Sequence, residues 1–182
     1  MTDAQAEKKI VALMRKTWLG RSEVFIYNEA LFSERYDRIV LTTRTENLDR
    51  FPWPRIFMPA DVPRFSVRWL DDRIGRMVFR REAYFETVCR EQRARVLHPH
   101  FAYDAVWALP LKKARGLPMV TSFHGADIYN QRTVDLLREE YDELFERGER
   151  FLAMGSRMRD RAIALGCKPE RIRVVHYSVD VA

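Results

Sequence analysis

The sequence predicts a three-layer α/β domain built on a mostly parallel sheet of about six strands. Short apolar, β-branched runs alternate with longer helical patterns along the chain, the mark of strands joined by helical crossovers. Gly and Pro punctuate the joints. The length also fits, since 182 residues bury a sizeable core as a single domain, here residues 1–182.

The elements follow in order. A first strand is expected at Lys9–Met14, then a helix over Ser22–Arg35 and a strand at Arg38–Thr43. Pro52, Pro54, Pro59 and Pro63 make Asn47–Phe65 irregular, with a brief strand at Arg55–Met58. A long helix over Asp71–Arg93 leads to a strand at Arg95–His98 and a helix at Ala102–Ala114. Gly116-Leu117-Pro118 ends that helix and launches a strand at Met119–Phe123. A helix over Thr133–Glu146, a strand at Phe151–Met154, a helix over Arg157–Leu165 capped by Ser156, and a strand at Ile172–His176 complete the pattern. No repeat, linker or low-complexity tract divides the chain.

Composition narrows the function classes. A formal charge of +6 favours anionic partners such as phosphates or lipid headgroups. Nucleic acid is not expected, because no helix-turn-helix, RNP or finger pattern is present. No run approaches the ~20 apolar residues of a membrane span, and the short apolar run after Lys9 lacks a cleavage pattern. Cys89 and Cys167 form no metal or redox spacing, so a cytoplasmic location is expected.

Ligands of open α/β sheets bind beyond the carboxyl ends of the strands. The residues following each expected strand are therefore site candidates: Thr17 to Ser22 with Gly20 and Arg21, His98-Pro99-His100-Phe101, His124-Gly125-Ala126-Asp127, and Gly155-Ser156-Arg157. Three of four histidines fall on one sheet edge. Gly20 either permits a turn or lets the backbone approach a diphosphate at a helix N-terminus. No GxGxxG or GxxxxGK[ST] run is present, which disfavours dinucleotide and nucleoside-triphosphatase domains. His98 and His100 have the spacing of a metal-binding pair, but His98 also reads as a near-core residue beside Val96 and Leu97. Further ligands are limited to His124, Asp127 and His176, and Pro99 breaks regular strand geometry. No metal is expected.

Between Arg64 and Arg81, arginines including Arg68, Arg73, Arg76 and Arg80 interleave with Trp69, Ile74, Met77 and Phe79. Such a helix suits an anionic membrane surface, or packs its apolar side on the sheet with its arginines solvated.

Several segments together resemble family 4 glycosyltransferases. Ser22-Glu23-Val24-Phe25-Ile26 is similar to that family's Ser-Glu-Thr-Phe-Ile opening, and His98-Pro99-His100-Phe101 to its His-x-His-Phe segment. Thr121-Ser122-Phe123-His124-Gly125-Ala126-Asp127 resembles its Thr-x-His-Gly-x-Asp core. Ser156, Leu165-Gly166 and Pro169-Glu170-Arg171-Ile172 resemble a further run, and Val174 to Asp180 the exit from the N-terminal domain. The resemblance implies the Rossmann-like N-terminal, acceptor-side half of a GT-B fold. The donor-binding C-terminal domain is expected to lie outside these residues, separate or missing.

The resemblance further implies retaining transfer from a nucleotide-diphosphate sugar, with no cofactor, to a sugar or glycolipid acceptor. His124 would bond a donor-sugar hydroxyl and Asp127 would shape that site. Gly20 and Arg21 would approach the diphosphate, while His100 and Ser22 would line the acceptor side. Val24 for the usual Thr and Ser178 for the usual Gly are departures. The alternative is a non-enzymatic module of the same fold that binds a sugar, phosphate or protein partner.

Overall fold

A computed structural model describes residues 8–32, 34–79 and 82–177; within them the side chains of Arg76, Val78 and Phe79 are left undescribed. The elements begin with β1 (Lys9–Met14), β2 (Thr17–Trp18), α1 (Val24–Leu31), β3 (Tyr36–Leu41), β4 (Arg44–Thr45) and β5 (Ile56–Phe57). They continue with α2 (Val67–Phe79), α3 (Ala83–Glu91), β6 (Ala94–Pro99), α4 (Ala102–Arg115), β7 (Val120–Ser122), α5 (Ala126–Tyr129), α6 (Gln131–Leu136) and α7 (Arg138–Arg147). β8 (Arg150–Ala153), α8 (Ser156–Ala164) and β9 (Ile172–Val174) close the described part.

Every described strand pairing is parallel. The expected six-stranded sheet appears as a four-stranded ladder, β5-β3-β1-β6, beside a three-stranded one, β7-β8-β9, with a small β2-β4 pair apart. Two isolated bridges, Leu97↔Met119 and His100↔Ser122, join β6 to β7. Pro99 lies between them, and without an N–H it interrupts the ladder there.

Period-two alternation in the central strands makes the layers. Ala12 and Met14 of β1, with Ile39 and Leu41 of β3, enter the larger core under α3, α4 and α7. Leu13 and Val40 point the other way, into a smaller core with Trp18, Ile26, Ala30 and Phe101. Each fully buried Leu or Ile in these layers stabilises the fold by about 2 kcal/mol.

The long helix expected over Asp71–Arg93 is two helices. The first starts early because Ser66 Oγ accepts the Trp69 N–H at 3.1 Å. The helix expected over Thr133–Glu146 is likewise split at Leu137, and Asn130 caps its first part through Thr133 N–H. Ser156 is the first residue of α8, and Gly155 holds the cap position. Gly116 ends α4 in the left-handed conformation at φ 61°, a place where a Cβ would be strained.

Candidate active site

β3 and β5 lie on one side of β1, while β6 and then β7 to β9 lie on the other. Chain order therefore reverses between β1 and β6, and the crevice beyond their carboxyl ends is where such sheets collect ligands. His124, just past β7, sits at this point with its ring partly exposed. Its Nε2 lies 3.1 Å from His100 Nδ1, and its Nδ1 is hydrogen-bonded to the Tyr177 hydroxyl. Phe25 and Phe101 pack on the ring at centroid distances of 4.9 and 4.6 Å.

Burial keeps the imidazoles uncharged. It pushes His124 down to about 3, helped by Arg15 and His98, and His98 down to about 4, helped by Arg38. His100 falls well below its ordinary value, from burial first and then its charged neighbours. A neutral imidazole offers one donor and one acceptor, which suits a sugar hydroxyl better than an ionic hold on phosphate.

Asp127 is fully buried. One carboxylate oxygen accepts the Ala102 N–H at 2.8 Å, which tethers the start of α4, and the other accepts the His124 N–H at 3.1 Å. The carboxylate thus acts on the crevice through backbone. Tyr141 donates its hydroxyl to the Asp127 carbonyl at 2.8 Å and locks the same turn from behind. His100 is also buried, 1% exposed, and meets the crevice through His124.

The turn after β2 carries Gly20, with Arg21 and Ser22 exposed beside it. Gly20 N–H donates to Glu23 Oε2 at 3.1 Å. Glu23 pairs with Arg15, which also bonds Asp104 Oδ2 at 2.5 Å. Burial opposes Arg15's charge, but Asp104 and Glu23 hold its pKa above the ordinary value. The guanidinium lies 4.3 Å over the Phe101 ring, so the turn and His124 are joined through packed groups. A Cβ at Gly20 would meet nothing closer than Glu23 at 3.5 Å; protein packing does not demand the glycine.

Sequence reasoning missed Arg15, Glu29 and Tyr177. Arg15 and Tyr177 follow strands, so the carboxyl-edge rule reaches them; Arg15 belongs to no recognisable motif, and Tyr177 lies in the exit segment without being singled out there. Glu29 is a helix residue whose partners come from a distant strand. A cavity of about 280 Å³, lined in part by Phe25, Asn28, Glu29, Ser122, Leu152 and Tyr177, opens beside these groups.

The sequence pattern of Glycosyltransferase Family 4 matches residues 23–182. The amylovoran biosynthesis glycosyltransferase AmsK of Erwinia amylovora is 31% identical over 83 residues, 44% of this chain and 20% of the relative. WcaL of Escherichia coli K12, named for glycosyl transfer in colanic acid biosynthesis, is 34% identical over 92 residues, 49% of this chain and 22% of the relative. Anabaena HepE in complex with UDP shares the fold at a TM-score of 0.67 and 14% identity, over 94% of this chain and 44% of that one. The chain thus matches less than half the length of these proteins. With the family pattern covering nearly all of it, on an α/β sheet of Rossmann-like, GT-B type, the chain belongs to Glycosyltransferase Family 4.

Proposed function

We propose that residues 1–182 build the acceptor side of a retaining, nucleotide-sugar-dependent glycosyltransferase of polysaccharide or glycolipid synthesis, and that alone they do not transfer sugar. The observation that carries this is His124, a neutral imidazole at the switch point held at both ring nitrogens by His100 and Tyr177. In this reading His124 reaches a hydroxyl of the donor sugar through the Tyr177 hydroxyl, which can bond the sugar while it holds Nδ1, and Asp127 fixes the turn that presents the pair. Gly20 and Arg21 admit the donor diphosphate, and Glu23 yields the Gly20 amide to it. Ser22 and His100 shape the acceptor side, and the cavity along α1 receives the acceptor sugar.

The leaving diphosphate carries the charge that must be stabilised. Helix N-termini and basic groups do this with no cofactor of the protein's own. Most of those ligands come from a donor-binding domain, on the same polypeptide or another. Positioning both reactants is worth on the order of 7–11 kcal/mol, which one half cannot supply.

A cytoplasmic, membrane-peripheral setting is part of the same reading. α2 turns Val67, Leu70, Ile74 and Met77 to solvent, at three- and four-residue spacing, with Phe65 exposed ahead of them. Arg68 and Arg73 flank this stripe; Arg80 and the Arg76 side chain lie outside the described residues. Among the described residues no helix is long and apolar enough to cross a membrane; the stripe and its flanking arginines suit contact with an anionic surface.

The test is nucleotide release from uridine, guanosine and adenosine diphosphate sugars, with the 182-residue chain alone and with a family-type C-terminal domain supplied. Turnover is expected in the second case only. A rate near 1 per second from the chain alone sinks the half-enzyme reading.

A further inference from the structure

Glu29, His98 and His100 each present one ligand atom within 4.8 Å of the others. α1 lies over the sheet face of Leu13 and Val40, and Ile26 and Ala30 are its apolar contacts there. Glu29 shares that side of the helix, one residue before Ala30. His98 pairs in register with Leu13, and the His98 and His100 rings lie 4.5 Å apart with planes 30° from parallel. Pro99 has not separated the pair.

The hydrogen bonding of this trio is incomplete in a particular way. His98 Nε2 is engaged by Ser122 Oγ at 2.8 Å, and His100 Nδ1 by His124 Nε2 at 3.1 Å. The other two nitrogens are not held in this way. His100 Nε2 is buried without a partner, and His98 Nδ1 stands 3.7 Å from Glu29 Oε1, too far for a hydrogen bond. A buried imidazole nitrogen without a partner is destabilising. Metal-binding histidines show this division: one nitrogen anchored by an outer partner, the other left for the ion.

We propose that Glu29, His98 and His100 bind one divalent transition-metal ion of the Zn²⁺ class, leaving a coordination position open to the cavity beside α1. Two imidazoles and a carboxylate suit such ions and disfavour Mg²⁺ and Ca²⁺, which take oxygen ligands. Tetrahedral binding needs ligand atoms about 3.4 Å apart at these bond lengths, a contraction of at most about 1.4 Å that side-chain rotation must supply. Arg38, whose charge is felt at Glu29 and at both histidines, opposes the ion and keeps the affinity moderate. Glu29 supplies the carboxylate for which the sequence offered Asp127. The proposal concerns binding and stands whether or not the chain takes part in sugar transfer.

The experiment uses the untagged chain, stripped with a chelator and titrated with Co²⁺ while its visible ligand-field absorption is followed, then back-titrated with Zn²⁺. One Co²⁺ per chain, displaced by Zn²⁺, is expected. Glu29→Gln and His98→Gln should each weaken binding at least about a hundredfold, and Ser122→Ala about tenfold as an outer partner. Circular dichroism confirms that each variant is folded. Absence of a stoichiometric Co²⁺ signal in the folded chain overturns the proposal. So does equal affinity in the wild type and both ligand variants, which leaves the cluster as a hydrogen-bonding site for water or a hydroxyl.

Discussion

The Tyr177 hydroxyl is bonded to Nδ1 of His124, a residue 53 positions earlier, and the two rings are nearly parallel at 5.8 Å. The last strand of the described chain thus delivers the group that orients the central imidazole. On the proposed function, and with a family-type C-terminal domain supplied, Tyr177→Phe keeps the stack and loses the bond, so transfer should fall about tenfold, while His124→Ala should lower it a hundredfold or more. Steady-state kcat/KM for donor sugar checks both. An unchanged rate in His124→Ala removes the ring from the site.

Gly20→Ala separates fold from function at the turn after β2. Only ordinary contact with Glu23 awaits the new methyl group, so urea denaturation should shift by less than about 1 kcal/mol. Transfer should fall sharply if backbone approaches diphosphate there. Equal activity would show that nothing comes close.

Asp127→Ala strips the partner from the buried amides of Ala102 and His124. The expected loss is about 2–4 kcal/mol of stability, read by chemical denaturation. Stability within about 0.5 kcal/mol of wild type contradicts a structural role for the carboxylate.

One guanidinium, Arg15, serves two carboxylates, and Asp104 is the fully buried one. Burial pushes Asp104 up to about 6 against the pull of Arg15, and its Oδ1 is buried without a partner. A raised pKa means that folding favours the protonated form. Its contribution is complete below about 3.9 and is lost as pH climbs through about 6. Between pH 7 and pH 4 wild type should therefore gain on Asp104→Asn by roughly 2 kcal/mol. The opposite sign would mean that the ion pair with Arg15 dominates.

For α2, liposome sedimentation should show binding to anionic over neutral vesicles that weakens as salt rises. Ile74→Glu should weaken it further, because the exposed stripe supplies the buried area. Equal binding to both vesicle types leaves the stripe to some other partner. Arg68 pairs with Glu91 at 2.5 Å and Arg73 lies 5.3 Å over Trp69, so each arginine contributes less than a free one.

The strands were legible because their signal is local. Ile10-Val11-Ala12-Leu13-Met14 is a continuous apolar run, as a parallel strand covered on both faces requires, and the observed β1 matches the expected range residue for residue. Helix ends were less so, because Ser66 and Asn130 cap through bonds that an apolar period does not reveal. The carboxyl-edge rule placed Gly20, His100, His124 and Asp127 on one side of the sheet, but not their depth. Whether a histidine lines a crevice or stands behind another depends on packing that no single stretch encodes. Glu29 was invisible for the same reason: nothing within α1 says that β6 will set two imidazoles beneath it.

The break between the two ladders gives the histidines a mechanical office. Across it the backbone contributes the Leu97 N–H to the Pro118 carbonyl and the Phe101 N–H to the Ser122 carbonyl. Side chains contribute His98 to Ser122 and His100 to His124. The line between the two ladders is therefore crossed by imidazoles as well as by backbone. Whatever engages those rings, whether a proton, an ion or a sugar hydroxyl, competes with bonds that also hold the two ladders together.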